Sequence, residues 1–231
     1  MDIIFSDFKF LQTIYLTFKI SFITTLILLP IGISIGYFLA YSKKSWTSII
    51  EVLVWMPLIL PPSVIGFYLL VLFSPNNAIG EFLIQKMNLQ LVFTTEGIIF
   101  ASVIFSLPFM VNPIKNGFSL IPQSIKYASY TLGKGELYTT IFVLIPNIKS
   151  HIILGSITSF VHTIGEFGVV MMVGGNIVGK TRMASIAIYE EVESINFALA
   201  HAYSLILFAT TFILLLIIFF IVKKQDDKNK Y

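Results

Sequence analysis

The sequence predicts an all-α, polytopic membrane protein with about five transmembrane helices and a short cytoplasmic helix between the third and fourth spans. Three observations predict it. Of 231 residues, 56% are hydrophobic and 12% charged, with a mean hydropathy of +0.89, which leaves too little polar side chain to cover a water-soluble globule. The apolar residues fall in runs long enough to cross a bilayer. The lysines lie between those runs and not in one basic patch, so the net charge of +3 reports membrane orientation and no nucleic-acid partner. The chain has no cysteine, which excludes disulfides and thiolate metal sites. Residues 1–231 read as a single transmembrane domain.

The first span, about 13–41, contains 23 uncharged residues from Ile20 to Ser42 and reads as a spanning helix, not a cleaved signal. Pro30, Gly32 and Gly36 either bend it or let another helix approach closely. Lys43 and Lys44 close it. The second span, about 52–73, begins with Trp55-Met-Pro-Leu-Ile-Leu-Pro-Pro62, whose prolines forbid a regular helix and predict a broken or re-entrant start. Irregular backbone survives at membrane depth only when buried in protein or beside a wet cavity, so Pro61 and Pro62 are candidate walls of a pathway. A plain kink at the membrane boundary is the alternative.

Ser74-Pro-Asn-Asn77 is a turn cluster, and the segment through Lys86 to Gln90 reads as an extramembrane connection. The third span, about 91–111, carries Glu96 near its outer end. A loop over 112–149 follows, with Lys115, Lys126, Lys134 and Lys149 against the single acid Glu136. The fourth and fifth spans cover about 150–173 and 202–222, and the tail adds Lys223, Lys224, Lys228 and Lys230. An alternating five-span topology places ten basic residues on the side of the 112–149 loop and four on the other. The positive-inside rule then puts that loop and the C-terminus in the cytoplasm and the N-terminus outside.

Inside the loop, Pro122 suits the start of a helix and Gly133 can adopt the left-handed conformation that ends one. The helix between them is about eleven residues, roughly 16 Å. Small Ala128 and Ser129 beside Ile125 and Leu132 suggest a stub shaped to fit a partner, though an ordinary amphipathic connector has the same look.

In the fourth span, Ser159, His162, Thr163 and Glu166 recur at three- and four-residue spacing and would share one helix face. Ionisable groups in hydrocarbon face a bundle interior or a wet cavity, so His162 and Glu166 are functional candidates; an interhelical hydrogen bond is the competing reading. One His and one Glu are too few ligands for a metal site. Gly174, Gly179, Lys180 and Thr181 match the letters of a phosphate loop, but they follow a membrane helix and not a parallel strand, so no nucleotide site is expected. The segment 183–201, with Glu190, Glu191 and Glu193, reads as a surface or re-entrant piece that could dock an external protein.

Tyr127-Ala-Ser-x-x-x-Gly133, then nine residues, then Val143-Leu-Ile-Pro146 resembles the cytoplasmic EAA motif of permease subunits from bacterial ABC importers. The spacing agrees throughout, with Tyr127 in place of the motif's Glu, Ser129 of its second Ala and Ile145 of its Leu. Pro57 to Tyr68, His162 to Gly168 and Gly175 to Arg182 are similar to the molybdate permease branch of that family. The resemblance covers most of the chain from about 50 to 195.

It implies a homodimer of permeases in the bacterial inner membrane, two ATP-binding cassette subunits on the cytoplasmic side and an external binding protein. Tyr127, Ala128, Ser129, Gly133, Val143 and Pro146 would couple to the ATPase, which would hold ATP and Mg2+. The permease itself would carry no cofactor and no catalytic residue. Its cargo would be an oxyanion, molybdate foremost, with sulfate or tungstate as alternatives. A membrane-embedded enzyme using His162 and Glu166 as acid and base, and a stand-alone channel or secondary transporter, are readings from other classes.

Overall fold

The computed structural model describes residues 8–42 and 44–228. Lys43 and Lys230, both counted in the topology, lie outside the described residues, as do the side chains of Lys223, Lys224 and Lys228. Every regular element among the described residues is a helix. Among the described residues, three helices are long and apolar enough to cross a membrane alone, and two bent pairs, Thr47–Ile59 with Pro62–Phe73 and Glu136–Asn147 with Lys149–Gly165, raise the number of spans to as many as five.

Helix α1 (Phe8–Tyr41) is 34 residues long, roughly 51 Å, well over the roughly 30 Å of a hydrocarbon core. Pro30 does not break it. One face is small and hydroxylated, with Thr13, Thr17, Ser21 and Thr24 buried, and the hydroxyls of Thr17 and Ser21 donate back to carbonyls one turn earlier. At Gly36 a Cβ would stand 2.8 Å from Ile114 Cγ2, so this glycine is what lets α5 lie against α1.

The expected broken start of the second span is present. Helix α2 (Thr47–Ile59) and helix α3 (Pro62–Phe73) meet at 110°. Pro61 drives Leu60 out of the helical region (ψ 144°), Pro62 does the same to Pro61 (ψ 134°), and Pro62 then starts α3. Pro57, inside α2, is tolerated. The connection after α3 contains helix α4 (Ala78–Met87), capped by the Asn77 side chain, which accepts from the Ile79 N–H.

Helix α5 (Thr95–Leu120) starts four residues later than the expected span and runs nine residues past its expected end at 111. Pro108 and Pro113 stay inside it because α5 is walled by protein, with Ser102, Ser106, Met110 and Ile114 fully buried. Its Lys115 is neutralised by Glu51 of α2. The 112–149 segment is therefore not one loop. It holds the end of α5, helix α6 (Gln123–Thr131) and helix α7 (Glu136–Asn147), which widens at Thr140–Leu144.

The fourth span is also broken, against expectation. Helix α8 (Lys149–Gly165) stops at Gly165, Glu166 is extended (ψ 126°), and helix α9 (Gly168–Gly174) turns away to pack on α3. Glycines on both sides of Glu166-Phe167 weaken the helix there, and α3 offers Ile65 and Leu69 to the buried Val169 and Val173. The expectation of a surface or re-entrant piece at 183–201 holds for residues 192–198, which are exposed, but not for the start of helix α10 (Ala184–Glu193). Ala184, Ile186 and Ala187 are fully buried, against α1 and helix α11 (Phe197–Lys228). α11 rests on α8 and α10 and leaves Phe208, Phe212 and Phe219 exposed, as a lipid-facing helix does.

Candidate functional site

The α6–α7 unit forms one candidate surface. Gly133 (φ 73°) ends α6 as expected, with the Lys134 N–H reaching the Ser129 carbonyl and the Gly133 N–H the Tyr130 carbonyl. This paired closure is the standard glycine stop. α6 has nine residues and not eleven, because Pro122 stays extended outside it and Leu132 leaves the helix. Ser129 is buried, its hydroxyl 2.8 Å from that of Thr139 in α7, and Thr139 donates in turn to the Gly135 carbonyl. A residue larger than serine would separate α6 from α7.

Tyr127 and Ala128 face outward, and the Tyr127 hydroxyl donates to Gln123 one turn earlier. Val143 is half-buried in the wide turn of α7, with Pro146 exposed just beyond it. Around them Leu132, Leu137 and Phe142 are 77%, 74% and 63% exposed. An apolar cluster of this kind on a polar connection marks a contact surface.

Sequence reasoning missed what holds this surface to the bundle. Lys126 donates to the Tyr37 hydroxyl (3.2 Å), which donates to Glu136 (2.8 Å), and the ammonium lies 4.6 Å over the Tyr41 ring. Partial burial pushes the Lys126 ammonium down, but its hydrogen bond to the Tyr37 hydroxyl and the field of Tyr37 and Tyr130 outweigh it and hold the group above its usual value. Tyr37 and Tyr41 are four apart at the end of a span, which is the signal that could have found them.

The second candidate site lies in the bundle. Ser159 and Thr163 are fully buried on the seam between α8 and α5, and Thr163 donates to the Ser159 carbonyl. Ser106 of α5 lies 2.9 Å from both Thr163 Oγ1 and His162 Nδ1. One consistent assignment has His162 Nδ1–H donating to Ser106 and Ser106 donating to Thr163, which leaves His162 Nε2 as a free acceptor. The imidazole stacks on Phe109, ring centroids 4.1 Å apart, with Phe105 tilted at 5.1 Å.

Glu166 does not share that helix face, since α8 has ended. It is 4% exposed, neither carboxyl oxygen has a hydrogen-bond partner, and Ser102 faces it. Its backbone carbonyl accepts from Ser185, which pins the break in the span to α10.

Pro62, Ser63, Phe105, His162 and Glu166 border a cavity of about 660 Å³. Of the six pathway candidates, Pro62, His162 and Glu166 meet there. Ser159 and Thr163 are sealed in the helix seam behind, and Pro61 is exposed at the bend. Ser102 and Ser106, four apart in the third span, were overlooked; their shared face was the readable signal.

Beyond α9, the loop that carries the phosphate-loop letters is closed on itself. The Ile177 N–H donates to the Thr181 hydroxyl, and the N–H groups of Lys180, Thr181 and Arg182 converge on the Ile177 carbonyl. Arg182, 7% exposed, pairs with Glu190 and Glu191, both at 3.0 Å. Two of the three acids read as a docking face are thus spent on an internal ion pair.

Comparison with known proteins places this architecture. The chain is 41% identical to the molybdenum transport system permease protein ModB of Azotobacter vinelandii, over 86% of this chain and 89% of that protein. It is 31% identical to the probable transport system permease protein NifC of Clostridium pasteurianum, over 88% and 71%. Its fold is similar to that of a bacterial alginate ABC transporter solved in complex with a periplasmic protein bound to an alginate pentasaccharide. There the TM-score is 0.74 at 14% identity, covering 94% of this chain and 78% of that one. The relatives are transport permeases, and the chain is a transport subunit and not an enzyme. The model of the binding-protein-dependent transport system inner membrane components matches residues 10–230, and the chain belongs to that family as a multi-pass inner-membrane protein.

Proposed function

We propose that this chain is the membrane-spanning subunit of an ATP-driven importer whose cargo is molybdate, delivered by an external binding protein. The observation that carries this is the 41% identity to a molybdenum permease over nearly the whole of both chains. Five spans are too few to enclose a path, so two copies form the conducting unit. The N-terminus faces outside and the α6–α7 surface faces the cytosol, where two ATPase subunits seat on it and hold ATP and Mg2+.

When the ATPases close on nucleotide, α6 moves as a rigid lever. Its outward apolar side chains grip the ATPase, while Ser129 and Lys126 carry the motion to α7 and α1. ATP shifts the permease between inward- and outward-open forms only because the ATPases bind the two forms with different free energy. A tetrahedral dianion crossing such a path needs dispersed hydrogen-bond donors and weak binding, since a tight pocket would stall release.

Reconstitution of the permease with its ATPases in proteoliposomes tests this. Binding protein loaded with molybdate is expected to stimulate ATP hydrolysis and uptake of labelled molybdate. Stimulation by sulfate or tungstate alone would reassign the cargo. Chemical turnover by the purified chain without ATPases would replace the importer reading with the enzyme one.

A further inference from the structure

A second cavity, about 230 Å³, lies below the first and is bordered by Trp55, Leu58, Phe109, Asn112 and Thr158. The two cavities use the same faces of the same elements. On α8, Leu154 and Thr158 border the smaller one, and Val161, His162 and Gly165 the larger. These positions recur at helical spacing and form one stripe. On α5, Phe105 borders the larger cavity and Phe109, Asn112 and Pro113 the smaller. The bend between α2 and α3 divides the wall in the same order. Along α8 the two sets are offset by about seven residues, roughly 10 Å. They are two halves of one groove.

What separates them is the stacked pair Phe109 and His162, ring centroids 4.1 Å apart with 25° between planes. His162 is held by Ser106, so its ring is fixed. Phe109 sits between Pro108 and Pro113. Pro113 has no N–H to give to the Phe109 carbonyl one turn back, and Pro108 leaves the Ile104 carbonyl in the same state. The freed Phe109 carbonyl is met at 3.1 Å by Thr158 Oγ1, whose single proton is shared with the Leu154 carbonyl at 2.8 Å. The α5 backbone is therefore loosened just where the movable ring is attached, while the opposite ring is anchored.

We infer that Phe109 and His162 form the barrier between an outer and an inner station of the anion path, with Phe109 on proline-bracketed backbone as the moving member. The outer station offers the Ser63 hydroxyl to the anion, and the inner one the Asn112 amide. Two stacked rings in contact leave no room for a hydrated oxyanion. This rests on the importer reading for the cargo and for which side is cytosolic.

The absence of cysteine makes the barrier directly measurable. Ser63→Cys and Asn112→Cys, each in the permease–ATPase complex in inverted vesicles, report the two stations to a membrane-impermeant maleimide added on the cytosolic side. Without nucleotide, Asn112→Cys is expected to react at least about tenfold faster than Ser63→Cys. Adding Phe109→Ala should bring the two rates together, and His162→Ala should do the same, whereas His162→Phe preserves the ring stack and the difference. Equal rates with Phe109 and His162 intact, or a difference that survives both alanine substitutions, would overturn the proposal. Should Phe109→Ala fail to assemble, Phe109→Leu and His162→Ala give the same reading. Labelling does not depend on cargo: cysteine variants that showed the barrier, in a complex that without them moved no molybdate, would sink the molybdate assignment and leave the barrier standing.

Discussion

Ser129 and Thr139 meet hydroxyl to hydroxyl at 2.8 Å across the turn at Gly133, both sealed from solvent. Ser129→Ala deletes this bond but leaves Thr139 its Gly135 partner, so a loss of about 1 kcal/mol and a small drop in transport per ATP are expected. Ser129→Leu overfills the same seam, at about 1–3 kcal/mol, and should lower transport per ATP severalfold. The thermal midpoint of the complex and the ratio of molybdate moved to ATP hydrolysed measure both. A leucine variant with an unchanged ratio would show that the α6–α7 contact carries no coupling.

Lys126 is tied to α1 through Tyr37 and to α7 through Glu136. Tyr37→Phe keeps the ring under the ammonium but removes the hydroxyl that joins all three elements. Basal ATP hydrolysis is expected to persist while molybdate uptake falls severalfold, in line with about 1–2 kcal/mol of lost network. Lys126→Arg, which preserves charge and reach, should recover part of the uptake. If both variants transport as the unmutated complex does, α6 moves α1 by some other contact.

Gly133 is left-handed, and a Cβ there would meet nothing within 4 Å. Any effect of substitution is therefore conformational and not steric. Gly133→Val is expected to lose about 1–2 kcal/mol, fray the end of α6 and sensitise the turn to protease. Gly133→Asn, which tolerates this conformation, should stay close to the original.

Arg182→Ala strands Glu190 and Glu191. The expected loss is about 2–3 kcal/mol, below that of a fully buried pair because the Glu190 side chain is 42% exposed. Dimer yield in detergent should fall accordingly. Adding Glu191→Gln to the alanine variant should restore part of it, and a double variant no better than the single one would deny that the stranded charge is the cause.

Glu166 has no hydrogen-bond partner for either carboxyl oxygen. Glu166→Gln keeps the shape and removes a buried ionisable group, so its thermal midpoint is expected to equal or exceed the original. Glu166→Lys should not assemble. A large drop for the glutamine variant would point to a partner contributed by the second subunit.

The spans were legible because hydrocarbon thickness imposes a run length that composition reveals directly, as Ile20 to Ser42 shows. The break at Leu60-Pro61 was legible for a local reason too, since proline restricts its own backbone and its neighbour's. The break at Glu166 was not. Its cause is the α3 face waiting for Val169 and Val173, a partner about 100 residues away that no periodicity encodes. Pro108 and Pro113, a residue type that ordinarily breaks a helix, stay inside α5 for the same kind of reason, the surrounding protein. At the α6–α7 surface, motif spacing singled out Ser129 and Gly133, whereas the Tyr37–Lys126–Glu136 junction exists only once α1, α6 and α7 are packed. Polarity flagged His162, but its stacking partner Phe109 is an unremarkable apolar residue in a helix full of them.

The Thr17 hydroxyl oxygen receives the backbone N–H of Ala184, 167 residues further along the chain, at 2.8 Å. Helix α1 leaves the ribosome well before α10, so the N–H that Thr17 accepts is made 167 residues later. At about 5–20 residues per second, Thr17 waits on the order of 10–30 s in the bilayer for that donor, although α5 and α8 reach α1 sooner. A chain stalled or truncated before α10 would thus leave an inserted bundle in which the Thr17 hydroxyl has no backbone donor.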